Sequence, residues 1–552
     1  MTRILIVGGV AGGATAAARL RRLDEHAEIV IFERGSAVSF ANCGLPYHIG
    51  GVIEKRDSLL LQSKEGFWAR YRVEVRLHQE VTAIDRENHT LQVHDLENDT
   101  VYEDHYDFLI LAPGARPRLP EADPEAKELI HSLHTLEDMD AIIADIARRN
   151  AQKVAVMGGG YVALEAAENL VKAGIRTLLV QRSEKLLPPF DAEMLAPLYN
   201  ELGSNGIPLL LDTPITRISR QAEGLLLTQN NGKLIDCDLL IAAIGVSPAS
   251  ELARAAGLTL GERGGIVVDE QMRTSDAAIF AVGDAVEVSE YVTQTPAQIA
   301  LAGPANKQAR VAADAICGLP SAYGGTQGSA IIKVFKLTAA ATGINEKTAK
   351  SRGLNYDKVY LFASNHAGYY PLAEDMVIKV LFEKPSGRIL GAQLIGKEGT
   401  DKRADILAVA IRARMTAADL VKLELCYAPP FSSAKDPVNM VGLMISNLLE
   451  GRVSQFHWHE VEDLPRDGSV QLVDVRTSWE YASGHIQDFI NIPVDELRAR
   501  LEELDPTKPV YIHCHSGLRS YIAARVLAQK GFTVSHLAGG IRFYRQARAT
   551  HN

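Results

Sequence analysis

An α/β chain of four domains is what this sequence predicts, and three observations carry that expectation. Two segments repeat one layout, an apolar strand, a glycine-rich turn and an Ala-rich helix. A stretch rich in Val, Ile and Phe without such a turn follows them, and a compact strand–turn–helix unit ends the chain. The length of 552 residues, at roughly 150 residues per domain, leaves room for three or four full cores.

The first repeat is the apolar run 4–7, then Gly8, Gly9, Gly12 and Gly13, then a helical run over 14–23. The second is 154–157, then Gly158, Gly159 and Gly160, then a helix through Leu170. Each continues into another apolar strand, 28–32 and 177–180, so both glycine turns sit in the βαβ context that makes them nucleotide sites. Two Rossmann-like units imply two nucleotides. The runs 108–111 and 239–244, each closed by a glycine (Gly114 and Gly245) at a proline-containing loop, read as strands where the chain crosses between the two units.

These marks divide the chain into a first nucleotide domain in two pieces, 1–113 and 246–325, and a second over 114–245. An α+β domain follows at 326–451, with helices expected over 402–423 and 438–449. A polar connector, 452–467, leads to a C-terminal α/β domain at 468–552, whose clear strands are 471–475 and 510–513. The connector is compatible with a tail that swings or one that docks.

Hydrophobic residues make up 47% and charged residues 23%, ordinary globular usage, so the whole chain is expected to fold. A net charge of −10 without long like-charge blocks argues against a nucleic-acid surface. No run approaches the roughly 20 apolar residues of a membrane span, and the N-terminus reads as a buried strand rather than a signal peptide. Five scattered cysteines are too few for a disulfide framework, which fits a reducing cytoplasm.

A helix N-terminus offers free N–H groups and a positive dipole end to a pyrophosphate, and glycine lets the backbone approach it. The first turn has Val10 at the middle glycine position, but Glu33, at a strand end with Arg34 beside it, supplies a carboxylate for an adenosine ribose. The second turn, Gly158-x-Gly160-x-x-Ala163, fits the fingerprint fully. At its strand end stand Gln181 and Arg182 in place of a carboxylate. Arg182 suits the 2′-phosphate of NADP or is a solvated charge, so NADH and NADPH both stay open. A β-rich run closing in Gly283-Asp284 completes the series.

This order of motifs resembles the flavoprotein disulfide reductases. The resemblance implies FAD on the first turn (Gly8, Gly12, Gly13, Glu33, Arg34), with Asp284 on its ribitol, and NAD(P)H on the second (Gly158, Gly160, Glu165, Arg182). Most members carry a Cys-x-x-x-x-Cys pair, whereas here Cys43 is followed at the second position by His48. Cys43 must therefore pair with an external thiol or with oxygen, and is expected to be a low-pKa thiolate. The string 39–48 resembles the single-cysteine branch of coenzyme A disulfide reductases, NADH oxidases and NADH peroxidases, over about residues 1–450.

Within that branch, Thr15, Arg19 and Arg22, with Ser39 and Asn42 beside the cysteine and Lys435 downstream, resemble coenzyme A contacts. Arg19 and Arg22 lie one turn apart on one helix face. Residues 366–371 and 427–430 resemble the family's tyrosine-bearing segments, which makes Tyr369 and Tyr427 hydrogen-bond donors near the active sulfur, with Tyr370 as the other choice for the first role. The resemblance places these tyrosines in the partner subunit's site and so implies a homodimer.

In the tail, Cys514 to Ser520 lies between an apolar strand and a helix, where converging N–H groups and the helix dipole stabilise a thiolate and Arg519 closes the loop. It resembles the rhodanese active-site loop. No histidine shows ligand spacing with cysteines, so no metal is assigned, and little redox work is expected of Cys237, Cys317 or Cys426. Together the two resemblances imply an FAD-dependent, NAD(P)H-driven reductase of coenzyme A disulfide, persulfide or polysulfide, with Cys514 carrying sulfane sulfur. The alternatives are an NADH oxidase or peroxidase using a Cys43 sulfenic acid, and a coenzyme A or persulfide sensor.

Overall fold

A computed structural model describes residues 1–550. The chain divides into two compact units, the first comprising 1–184 with 206–328, the second 185–205 with 329 onward.

The first unit contains two parallel sheets. One runs Ile279–Ala281, Phe108–Leu111, Arg3–Val7, Glu28–Glu33, Glu74–Leu77, and the other Leu209–Leu210, Arg176–Val180, Lys153–Met157, Leu239–Ala242, Ile130–His131. Continuous apolar runs suit strands covered on both faces, and Leu5, Ile6, Leu109, Ile110, Val154 and Val156 are fully buried. Each such side chain contributes roughly 1.5–3 kcal/mol of apolar burial. Gly12, Gly13, Ala14, Ala16 and Ala17 bury the inner face of the helix Ala11–Leu23, because only small side chains let it lie close to the sheet. The two expected crossovers run side by side as the antiparallel pair Ala115–Pro117 and Val246–Pro248.

In the second unit, five antiparallel strands are ordered Ala330–Val334, Leu337–Gly343, Ile389–Gly396, Asp375–Glu383, Tyr356–Ser364. The helix expected over 402–423 is two, Thr400–Arg412 and Ala417–Lys422, because Arg414 turns left-handed and Thr416 with Asp419 caps a new start. The C-terminal sheet is parallel, ordered Ser454–Phe456, Val534–Leu537, Val510–His513, Gln471–Asp474, Ile490–Asn491. Its first strand comes from the segment read as a connector, so that segment is built into the fold by ladder bonds to Val534–Leu537.

The tail is docked on the antiparallel sheet. Phe543 stacks on Tyr360 with centroids 3.9 Å apart, Gln455 donates to the Lys358 carbonyl at 2.8 Å, and Asn447 reaches the Tyr521 hydroxyl at 3.3 Å.

Residues 185–205 interrupt the second nucleotide domain in sequence yet belong to the second unit. The fully buried Lys379 ammonium holds them there, lying 2.6 Å from Asp191, 2.6 Å from Glu193 and 2.8 Å from Glu346. Gln393 donates to Asp191 at 2.6 Å, Tyr360 to Glu193 at 3.1 Å and Lys358 to Glu346 at 2.6 Å, so each buried carboxylate is paired as burial demands.

Candidate functional site

The first glycine turn builds a long groove lined by Gly8, Gly9, Gly12, Glu33, Arg34, Asn42, Gly114 and Asp284. Gly8 has φ +93°, and a Cβ on it would meet the Ala112 carbonyl at 2.2 Å; one on Gly13 would meet the Gly8 carbonyl at 1.8 Å. No side chain fits at either place, so the turn lies flat with its N–H groups open. The Glu33 carboxylate accepts the N–H of Gly9 and of Gly35, each at 2.8 Å, and keeps lone-pair capacity for a ribose hydroxyl. At the other end Gly283 donates its N–H to Gln308 at 2.8 Å, which sets Asp284 against the groove. Burial pushes the Asp284 carboxyl above its ordinary range. An elongated cradle with an amide-rich centre and a carboxylate at each end fits FAD.

The second turn repeats the device. Gly158, at φ +134°, brings its missing Cβ within 2.1 Å of the Ala243 carbonyl, and beside Gly160 and Gly245 there is open space. Gly160 caps the helix Tyr161–Lys172. Arg182 is exposed just beyond the strand Arg176–Val180, and the turn and strand end fit a nicotinamide dinucleotide.

Cys43 lies in the short turn Asn42–Gly44, directly before the helix Leu45–Ile49. Its thiol is free, and Asn42 beside it lines the groove. His48, at the family's second-cysteine position, bonds the Ile53 carbonyl through Nδ1 at 2.6 Å. In the same helix Tyr47 donates to Glu165 at 3.0 Å, joining it to the helix Tyr161–Lys172.

The protein side chains do not make Cys43 the low-pKa thiolate expected from sequence. Lost hydration, then the Glu165 and Asp284 carboxylates, push its thiol up, against a smaller opposing pull from its own N–H. The reasons are burial first, and then carboxylates distant in sequence that converge on it. Raising a thiol's pKa lowers its thiolate fraction at neutral pH. In protein freed of FAD, Glu165→Gln is therefore expected to move Cys43 alkylation to lower pH; an unchanged rate–pH profile would contradict this electrostatic account.

Of the coenzyme A candidates, Arg22, Asn42 and Lys435 are exposed. Arg19 instead pairs with Asp314 at 2.7 Å, and Thr15 donates to Asn306 at 2.7 Å, so among the described residues only Arg22 of the two expected arginines is left uncommitted. Ser39 takes a left-handed φ of +50°. In the second unit the Tyr369 and Tyr427 hydroxyls lie 3.0 Å apart, and Tyr369 is 76% exposed. Tyr370 packs edge-on against His366, which favours Tyr369 for the open role.

Cys514 is 1% exposed. Its sulfur accepts the Gly517 N–H at 3.1 Å and the Ser520 hydroxyl at 3.4 Å, at the start of the helix Leu518–Gln529. Arg519 makes a two-pronged ion pair with Glu480 at 2.6 and 2.7 Å. Sequence reasoning missed Glu480, although Thr477-x-x-Glu480 is a visible capping box. It also missed Tyr47, whose only signal was its place four residues after Cys43.

Comparison with known proteins agrees with this geometry. A family model described as pyridine nucleotide-disulphide oxidoreductase matches residues 2–309, that family's dimerisation domain matches 329–437, and a rhodanese-like domain matches 457–547. The coenzyme A disulfide reductase of Staphylococcus aureus strain JH9 is 36% identical over 443 residues, 80% of this chain and 99% of that protein. The crystal structure of reduced Bacillus anthracis CoADR-RHD superposes with TM-score 0.96 at 45% identity, covering 99% of this chain and 98% of that one. A structure of a NAD-dependent persulfide reductase from A. fulgidus gives TM-score 0.90 at 35% identity, covering 98% and 100%.

Proposed function

The chain belongs to the pyridine nucleotide-disulphide oxidoreductase family and carries a rhodanese-like domain, and from that premise we propose that it reduces sulfur–sulfur bonds linked to coenzyme A at the expense of NAD(P)H. One observation carries this reading: Cys43, a free thiol with no cysteine at the family's second position, stands beside a groove built for a dinucleotide. Its sulfur partner must come from outside the chain. The neighbouring relatives named for coenzyme A disulfide and for persulfide support that class of substrate.

Bound FAD would pass the electron pair from NAD(P)H to sulfur. The chain's own residues do the rest. The Cys43 thiolate attacks one sulfur of the substrate S–S bond, forming a Cys43–S–S bond and releasing the other half as a thiolate. When that bond takes up the electron pair, Cys43 and the second half separate as thiolates, so two electrons and two protons convert one S–S bond into two thiols. The paired Tyr369 and Tyr427 hydroxyls, offered by the partner subunit of a homodimer, hydrogen-bond the departing sulfur. Arg22, Asn42 and Lys435 hold the coenzyme A end.

Cys514 carries sulfane sulfur in its cradle of N–H and hydroxyl donors. Cys514→Ser is expected to leave coenzyme A disulfide reduction within about twofold and to lower sulfide release from a polysulfide or thiosulfate donor about tenfold or more. Equal sulfide release by the variant with every donor would contradict a carrier role for Cys514.

A further inference from the structure

We infer that Arg542 is a positioning residue that joins the Cys514 loop to the Tyr369 loop, so that the sulfur carrier and the tyrosine pair are set by one joint. The inference rests on the roles proposed above for Cys514 and Tyr369.

The joint begins at the main chain. Ile541 and Arg542 donate their N–H groups to the Cys514 and His515 carbonyls, each at 2.9 Å. Gly540, at φ +62°, allows this approach, since a Cβ there would meet both carbonyls at 2.6 Å. The start of the last helix, Gly540–Ala549, is thus pinned directly to the loop that holds the Cys514 sulfur.

The Arg542 side chain leaves the C-terminal domain. Its guanidinium lies 4.1 Å from the centre of the Phe362 ring and 2.6 Å from the Asp375 carboxylate. Phe362 and Asp375 belong to the strands Tyr356–Ser364 and Asp375–Glu383, where Ser364 pairs with Asp375 at the last rung. The Ser364 hydroxyl also donates to Asp375 at 3.1 Å. The segment these strands frame, 365–374, carries Tyr369. That segment is tied to the second tyrosine's neighbourhood by the Ala367 N–H on the Pro429 carbonyl at 3.2 Å.

A half-exposed ion pair alone does little, but here the guanidinium is also stacked on a ring, and the next residue, Phe543, is stacked on Tyr360. Arginine suits such a site better than lysine, because a planar guanidinium lies flat on a ring while it bonds a carboxylate. Cys514 is buried and its sulfur already accepts two hydrogen bonds from its own loop, so a second sulfur that takes over those bonds would shift the loop. Its two pinned carbonyls pass that movement to Arg542 and on to Asp375. Coupling of this kind is reciprocal.

The test uses the full-length, FAD-loaded protein and two readouts, the KM for coenzyme A disulfide against kcat, and the rate of Cys514 alkylation. Arg542→Met is expected to raise the KM about fivefold with a smaller change in kcat, and to speed Cys514 alkylation about fivefold. Asp375→Asn, on the other domain, is expected to speed Cys514 alkylation about as much, and Arg542→Lys to restore neither value fully. A merely local role for Arg542 predicts no effect of Asp375→Asn on Cys514. Normal alkylation in Asp375→Asn together with a normal KM in Arg542→Met overturns the joint, and a normal KM in Arg542→Lys counts in the same way if Arg542→Met does not fold. Tyr369→Phe separates the two readings: faster alkylation in Asp375→Asn with a normal KM in Tyr369→Phe upholds the joint and removes the tyrosine from the coenzyme A site.

Discussion

Replacing Cys43 by serine is expected to lower NAD(P)H-driven reduction of coenzyme A disulfide by about 10³-fold or more while the protein stays yellow. Serine oxygen is a poor nucleophile toward sulfur and cannot form the S–S bond on which both half-reactions depend, so no residual covalent route remains. The groove is made by Gly8, Gly12, Glu33 and Asp284, none of which the substitution touches, so flavin absorbance should be retained. Anaerobic coenzyme oxidation, read beside the flavin spectrum, checks both halves. Loss of activity together with loss of flavin would mean a damaged fold. Retained turnover would remove Cys43 from the chemistry.

The second large effect concerns stability. Lys379→Met is expected to cost about 3–5 kcal/mol at pH 7, because it leaves carboxylates buried without their shared cation. Lys379 is 0% exposed and touches Asp191, Glu193 and Glu346. In the intact protein burial opposes ionisation of Glu346, yet Lys379 and Lys358 overcome it and hold that carboxyl well below the usual range. Burial opposes ionisation of Glu193 too, and Lys379 lowers it nonetheless. Groups with depressed folded pKa contribute stability that is present above the unfolded value, about 4.3 for glutamate, and is lost as pH falls through the folded value. Lys379 is itself raised well above its ordinary value, although burial works against its charge. Its contribution is complete below the unfolded lysine pKa of about 10.4 and is lost only as pH rises through the folded value.

The intact cluster is therefore at full strength across the neutral range. In Lys379→Met the sign reverses, because the remaining cations, Lys358 and the exposed Lys350, both sit on Glu346 and leave Asp191 and Glu193 preferring to be protonated. The variant should regain part of its stability between about pH 7 and pH 5. Denaturant unfolding at the two pH values tests this, and a variant whose deficit is the same at both would contradict the ionic account.

Much of this architecture was legible because it is written locally. A strand, a glycine turn and a helix lie within 25 residues of each other, and the Cys514 loop announces itself by its place between strand and helix. What escaped was set by long-range pairing. Arg19 looks like a free phosphate ligand until Asp314 arrives beside it. Cys43 looks like a thiolate until the fold strips its hydration and brings Glu165 and Asp284 towards it. Residues 185–205 read as part of the coenzyme domain because Lys379, which claims their carboxylates, lies more than 170 positions away. The polar segment 452–467 gave no sign that Ser454–Phe456 would complete a sheet edge, since three residues are too few to show a period.

The central claim is that electrons from NAD(P)H are delivered through Cys43 to a sulfur–sulfur bond. The most direct test follows NADH and NADPH oxidation without oxygen, with coenzyme A persulfide as acceptor, while counting sulfide released. The account predicts one sulfide per coenzyme oxidised. Coenzyme oxidation that needs oxygen or peroxide and yields no sulfide would contradict it, and would assign Cys43 to the sulfenic acid chemistry of the oxidases and peroxidases.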